Sequence, residues 1–198
     1  RGHSRDRYAR RCRGRPYAAL VASSRRSGRG DDQPDWHAEQ LRVVSPVYRF
    51  LFLPVSAARG TGEYARALEI ASAALARWPD ADIRFMVSRE APYARSVPFK
   101  TILLERSSTL QPREVAETLR EFRPQIVVFD NAGRTTQLRV AREIDARVLY
   151  VSSRPRQRGK AFRWRGMRLI DEHWIAYPAL LAGSLSRAER FKLLVMRR

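Results

Sequence analysis

The sequence predicts an α/β fold, a Rossmann-like three-layer sandwich around a mostly parallel sheet of about six strands. Two observations predict it. Short, almost continuous apolar runs recur along the chain, as expected of strands covered on both faces. Between them lie stretches with apolar residues at helical spacing, so strand and helix alternate and right-handed crossovers follow.

The expected strands are Arg49–Val55, Ile83–Ser88, Thr101–Leu104, Gln125–Asp130, Arg147–Ser152 and the less regular His173–Tyr177. A helix is expected over Glu63–Trp78, where Tyr64, Leu68, Ala71, Leu75 and Trp78 share a face and Pro79 ends the pattern. In Pro112–Phe122, Pro112 suits a first helical position, Val115, Leu119 and Phe122 form one face, and Pro124 follows. Thr135–Ile144 repeats the arrangement with Leu138, Ala141 and Ile144.

With 198 residues the chain has room for one good core. Residues 1–40 carry ten arginines against five acids with no apolar period, and are expected to be disordered or non-native. An arginine-rich arm that folds on RNA is the sharper alternative. Residues 41–180 are read as the Rossmann-like domain and 181–198 as the start of a following segment. The chain starts at Arg1 and stops just after an apolar run, so a fragment is expected.

The net charge of +19 points to an acidic partner. Arginine is used almost throughout, with lysine only at positions 100, 160 and 192, so genomic base composition is the competing explanation. Cys12 is the single cysteine, which excludes an internal disulfide and a cysteine-based zinc site. No apolar run reaches the roughly 18 residues of a transmembrane helix, and no signal peptide is evident. A reducing, cytoplasmic setting is expected. His3, His37 and His173 show neither triad order nor metal-ligand spacing.

In a parallel sheet, ligands bind beyond the carboxyl ends of the strands, so the loops there carry the candidate residues. After the first strand comes Gly60-Thr61-Gly62-Glu63, with Arg66 three residues on. Gly60, Gly62 and Ala65 formally satisfy the dinucleotide fingerprint, but six residues from Pro54 to Arg59 precede the first glycine, and no Gly-Lys-[Ser/Thr] follows to make a P-loop. What remains is a glycine-rich loop entering a helix N-terminus, suited to an anion or a sugar hydroxyl. Glu63 is either a first-turn acid that stabilises the helix or a general base toward a hydroxyl. After the fourth strand, Asp130, Asn131, Gly133 and Arg134 read either as turn and cap chemistry or as a carboxylate and guanidinium presented to a ligand. After the fifth, Arg154, Arg156, Arg158, Lys160, Arg163, Arg165 and Arg168 outnumber the acids available, since the next is Asp171. That segment is either a solvated helix packed by Phe162, Trp164 and Met167, or a positive patch for a diphosphate, an anionic lipid surface or nucleic acid.

The order strand, Gly-x-Gly-Glu loop, helix ending at Trp78-Pro79, strand IRFMVS, then RPQIVVFDNAGR resembles the N-terminal half of GT-B glycosyltransferases. It is similar to the bacterial group containing the undecaprenyl-linked N-acetylglucosaminyltransferase of peptidoglycan synthesis and the related nucleotide-sugar hydrolases. Those relatives carry Gly-x-Gly-His followed by an arginine; Glu63 stands in the histidine position here, with Arg66 after it. The resemblance covers roughly Val47 to Pro178. It implies the acceptor-side half of a transferase using a nucleotide-sugar co-substrate, without metal or other cofactor, and inactive alone because the donor-binding half is missing.

On that reading Glu63 or Asp130 deprotonates a hydroxyl acceptor, which can be lipid-linked. Gly60, Thr61, Gly62, Arg66, Asn131, Arg134, Arg154, Arg156 and Arg158 hold substrate or phosphate, with peripheral contact to the inner face of an anionic membrane. A nucleotide-sugar hydrolase on the same scaffold, a non-catalytic polyanion-binding module and, from the glycine match alone, a nicotinamide-dependent oxidoreductase are the alternatives.

Overall fold

A computed structural model of the chain describes residues 47–58, 61–153, 155–177 and 184–196; the expectations for residues 1–40 lie outside these. Among the described residues the elements run β1 (Arg49–Pro54), α1 (Gly62–Arg77), β2 (Asp82–Ser88), β3 (Lys100–Leu104), α2 (Pro112–Phe122) and β4 (Ile126–Asp130). They continue as α3 (Thr135–Glu143), β5 (Arg147–Ser152), α4 (Pro155–Ala161), α5 (Trp164–Met167), β6 (Glu172–Ile175) and α6 (Arg187–Met196).

The six strands form one sheet in the order β3-β2-β1-β4-β5-β6, and every neighbouring pair is parallel. The chain therefore winds outward from β1 to β3, crosses back, and winds outward again from β4 to β6. Its direction reverses between β1 and β4, the position at which ligands bind in open sheets of this kind.

Side chains alternate across the sheet. Leu51, Leu53, Val127, Phe129, Val148 and Tyr150 pack with α2 and α3 on one face. Phe50, Phe52, Ile83, Phe85, Val128, Leu149 and Val151 meet α1 on the other. Phe52 and Phe85 stack with ring centroids 5.0 Å apart.

The α1 interface differs from the periodicity reading. Its buried residues are Tyr64, Ala67, Ala71 and Ala74, while Leu75 is 39% exposed. Phenylalanines already fill the space above the sheet, so the helix turns its small residues inward to approach closely and puts its bulkier leucine at the margin. By contrast α2 buries Val115, Leu119 and Phe122, the three expected. It ends at Arg123 in the left-handed region (φ 46°), just before Pro124.

Among the described residues α1, the Ala91–Ala94 segment and flanking side chains such as Val97 and Phe99 cover this face, and a groove of about 580 Å³ is left beside α1, lined by Phe50, Ile126, Leu149 and Trp174 among others. The arginine-rich stretch after β5 is two short helices, with Ala161 and Phe162 buried against the fold and Trp164 partly exposed. Among the described residues no helix is long and apolar enough to cross a membrane.

Candidate functional site at the sheet's switch point

The reversal of winding brings the residues after β1, β4 and β5 together. Asp130 ends β4, and its side chain is fully buried. Arg66, one turn into α1, clamps it: Nε donates to Oδ2 at 2.8 Å and Nη2 to Oδ1 at 2.7 Å. A planar guanidinium matches a carboxylate this way, and charge assistance strengthens both bonds. Burial pushes the Asp130 carboxyl up to about 6, the Arg66 guanidinium opposes that rise, and the Glu63 charge adds to it. At neutral pH the pair is ionised.

Asn131 follows with φ 51°, a left-handed conformation that asparagine tolerates better than most residues. Its backbone N–H donates to the Val151 carbonyl at 2.9 Å, which continues the β4–β5 pairing one step past the strand. The left-handed turn throws the side chain back across the strand ends. Oδ1 accepts from the Ser153 N–H at 3.0 Å, while Nδ2 donates to Glu63 Oε1 at 2.8 Å and to Ser153 Oγ. The acceptor role of Oδ1 fixes the amide orientation. Glu63, in the first turn of α1, is thus held through one carboxylate oxygen, and Oε2 has no hydrogen bond among the described residues.

The entry to α1 beside it is open. Thr61 occupies the cap position but makes no side-chain capping bond, and Thr61 and Gly62 are exposed. A Cβ placed on Gly62 would meet nothing within 4 Å. Tyr93, from the loop after β2, stacks on Tyr64 with ring centroids 3.9 Å apart. Its buried hydroxyl lacks a hydrogen-bond partner among the described residues, and burial, with the nearby Glu63 charge, pushes it up to about 12.

Further bonds brace the other loops. Ser88 N–H donates to Ser56 Oγ at 2.7 Å, joining the ends of β1 and β2. Gln137, buried in α3, donates to the Ser108 carbonyl at 2.6 Å and accepts from the Arg134 N–H at 2.8 Å. These fix the loops after β3 and β4 to each other.

The structure gathers Glu63, Arg66, Asp130 and Asn131 into one connected group, with Thr61 and Gly62 alongside. Gly60, Arg154 and the side chain of Arg156 lie outside the described residues. Three expectations change. Asp130 is not presented to a ligand, because Arg66 occupies both of its oxygens. Arg66 spends its Nε and Nη2 on that carboxylate. Arg158 is turned away as well: it is 9% exposed and pairs with Glu189 of α6 at 2.9 Å. Arg134 stands apart from the group, on a cavity beside α3. Ser153 and Tyr93 were missed. Ser153 had a signal, its place directly after a strand end; Tyr93 had none, because its position depends on stacking between segments distant in sequence.

His173 on β6 takes the structural role. Its Nε2 is 2.8 Å from Ser152 Oγ, and its ring packs edge-on to Tyr150 and Phe162. Burial, helped by the Arg158 charge, lowers it to about 4. It is neutral at physiological pH.

No family model and no curated protein sequence matches the chain. Among solved structures it is similar to Arabidopsis thaliana UGT89C1 complexed with UDP, at 12% identity and a TM-score of 0.44. That likeness covers 71% of this chain and 51% of the plant protein, so the chain spans about half the length of the structure it resembles.

Proposed function

We propose that the chain is the acceptor-side half of a GT-B transferase that moves a sugar from a nucleotide-sugar donor to a hydroxyl acceptor. The observation that carries this reading is the Glu63 carboxylate at the switch point of an all-parallel sheet, anchored by Asn131 through Oε1 and without a hydrogen bond at Oε2 among the described residues. A base needs an oriented carboxylate with an open oxygen, and Glu63 has both. Asp130 has neither an open oxygen nor solvent access.

Glu63 Oε2 therefore accepts the proton of the acceptor hydroxyl as its oxygen attacks the anomeric carbon and the nucleotide leaves. Asp130 is a positioning residue: through Arg66 it fixes the first turns of α1, and hence Glu63. The unoccupied space over Gly62 lets an acceptor group approach the α1 backbone.

The test is nucleotide release by the full-length protein with a panel of nucleotide sugars and hydroxyl acceptors. Acceptor-dependent release is expected, with Glu63→Gln lowering turnover by about 10²- to 10⁴-fold at an unchanged melting temperature. Release that ignores the acceptor would move the assignment to a hydrolase. Full activity in Glu63→Gln would remove Glu63 as the base.

A further inference from the structure

A second concavity, of about 450 Å³, lies where the start of α3 meets the α4–α5 segment. Its wall includes Arg134, Thr135, Lys160, Arg163, Trp164 and Arg165 and, among the described residues, no carboxylate. Tyr150, which also lines it, points to the α3 face of the sheet. The cavity is thus separate from the Glu63 group, which belongs to the α1 side.

Among the described residues, the acids that follow this stretch in sequence are committed elsewhere. Asp171 pairs with Arg142 at 2.8 Å and accepts from the Val148 N–H; Glu189 takes Arg158; Glu172 takes Arg147. Among the described residues the side chains of Arg134, Lys160, Arg163 and Arg165 have no ion pair. The first turn of α3 carries no acid either, and Thr135 and Thr136 stand exposed there. A concave, low-dielectric wall of one sign focuses its field into the hollow, where a bound anion relieves the mutual repulsion of the cations. The volume falls within the range of small-molecule pockets, roughly 300–1,000 Å³. Trp164, 39% exposed on the same wall, offers a face for stacking a ring.

We propose that this cavity is a binding site for a small ligand bearing a diphosphate or comparable multiply charged phosphate group, held by Arg134, Lys160, Arg163 and Arg165 with its organic part on Trp164. A half-open concavity of about 450 Å³ has room for a discrete phosphorylated group, whereas a long polyanion would contact these exposed cations only in passing. This site stands independently of the transferase reading.

The test is calorimetric titration of the full chain with inorganic pyrophosphate at low and physiological salt. A parallel arm uses phosphatidylcholine vesicles with and without phosphatidylglycerol, to separate a free phosphate from a lipid headgroup. Arg163 and Arg165 are exposed, so the Arg163→Ala/Arg165→Ala double variant should fold normally. A control, Arg95→Ala/Arg113→Ala, removes the same charge from exposed positions elsewhere.

Saturable binding is expected, weakened on the order of tenfold or more in the cavity variant, as loss of charge-assisted bonds implies, and by less than about twofold in the control. Selective binding to the phosphatidylglycerol vesicles, lost in the same variant, would place the phosphate on a lipid. Three results would overturn the site: no saturable binding of either probe, equal weakening in both double variants, or stronger binding of a short single-stranded oligonucleotide that the cavity variant does not reduce.

Discussion

Arg66 and Asp130 form a bidentate ion pair across the switch point, with donor–acceptor distances of 2.8 and 2.7 Å and the carboxylate fully buried. A buried pair stabilises little relative to a well-packed apolar substitute, yet breaking it strands a charge. Arg66→Ala should therefore cost about 3–5 kcal/mol at pH 7. Adding Asp130→Asn to Arg66→Ala removes the stranded charge and should recover part of that loss. A double-mutant cycle by denaturant unfolding measures the coupling; additive single effects would contradict the pairing.

Two buried groups give opposite pH signatures. Asp130 is raised from 3.8 to about 6, so the folded state binds its proton more tightly than the unfolded state. Its contribution to stability is then fullest below pH 4 and is lost as pH rises through 6. His173 is lowered from 6.5 to about 4, and its contribution is fullest above 6.5 and lost as pH falls through 4. Each shift corresponds to about 3 kcal/mol as an order of magnitude. Between pH 4 and 6 the two largely cancel. Relative to the parent chain, Asp130→Asn should therefore lose stability more steeply on acidification and His173→Phe less steeply, judged by the slopes of urea-unfolding free energy against pH.

Much of this architecture was legible in the sequence because burial writes itself into residue order. FLFLP, FMV and IVVF are too uniformly apolar to belong to half-exposed strands, and their spacing by helical stretches required crossovers. The boundaries of α2 followed from Pro112 and Pro124. The site was legible only as separate parts. Glu63, Arg66, Asp130 and Asn131 each attracted notice from position after a strand or near a glycine loop, but nothing in the chain says that Arg66 reaches across to Asp130 rather than out to a phosphate. That choice depends on the distance between α1 and β4, which the inward alanines of α1 set. Likewise the excess arginines after β5 were visible, but which one finds an acid was not: Glu189 lies 31 residues beyond Arg158, on α6.

Asn131 joins three loops through one amide, so its variants should separate chemistry from folding. Asn131→Ala removes the bonds to Glu63 and Ser153 and leaves a less tolerant residue at φ 51°. A loss of about 1–3 kcal/mol is expected. Asn131→Asp is nearly isosteric but places a second carboxylate against Glu63, and the protons of the pair are then shared. Its stability deficit relative to the parent should shrink below about pH 5, where carboxyls become protonated. Adding Glu63→Gln should relieve that deficit at pH 7 as well. Chemical denaturation of the three variants at pH 7 and at about pH 4 checks this; equal deficits at both pH values would mean that Asn131 and Glu63 are not in contact.

Two glycines near the site should respond oppositely to alanine. Gly133 has φ 88°, and a Cβ there would sit 3.1 Å from the Phe129 ring and 3.3 Å from a Leu138 methyl. Phe129 is fully buried and cannot give way, so Gly133→Ala incurs both backbone strain and overpacking, about 1–3 kcal/mol. Gly62 opens α1 with open space around it, so Gly62→Ala should leave the melting temperature unchanged or slightly raised, by up to about 1 kcal/mol of stability. The added methyl instead enters the open space through which the proposed acceptor would approach. If a ligand approaches the α1 backbone there, Gly62→Ala raises the KM for the acceptor while thermal unfolding shows an intact or more stable fold. An unchanged KM would place the acceptor away from the α1 entry, whereas a lowered melting temperature would mean that Gly62 serves the fold itself.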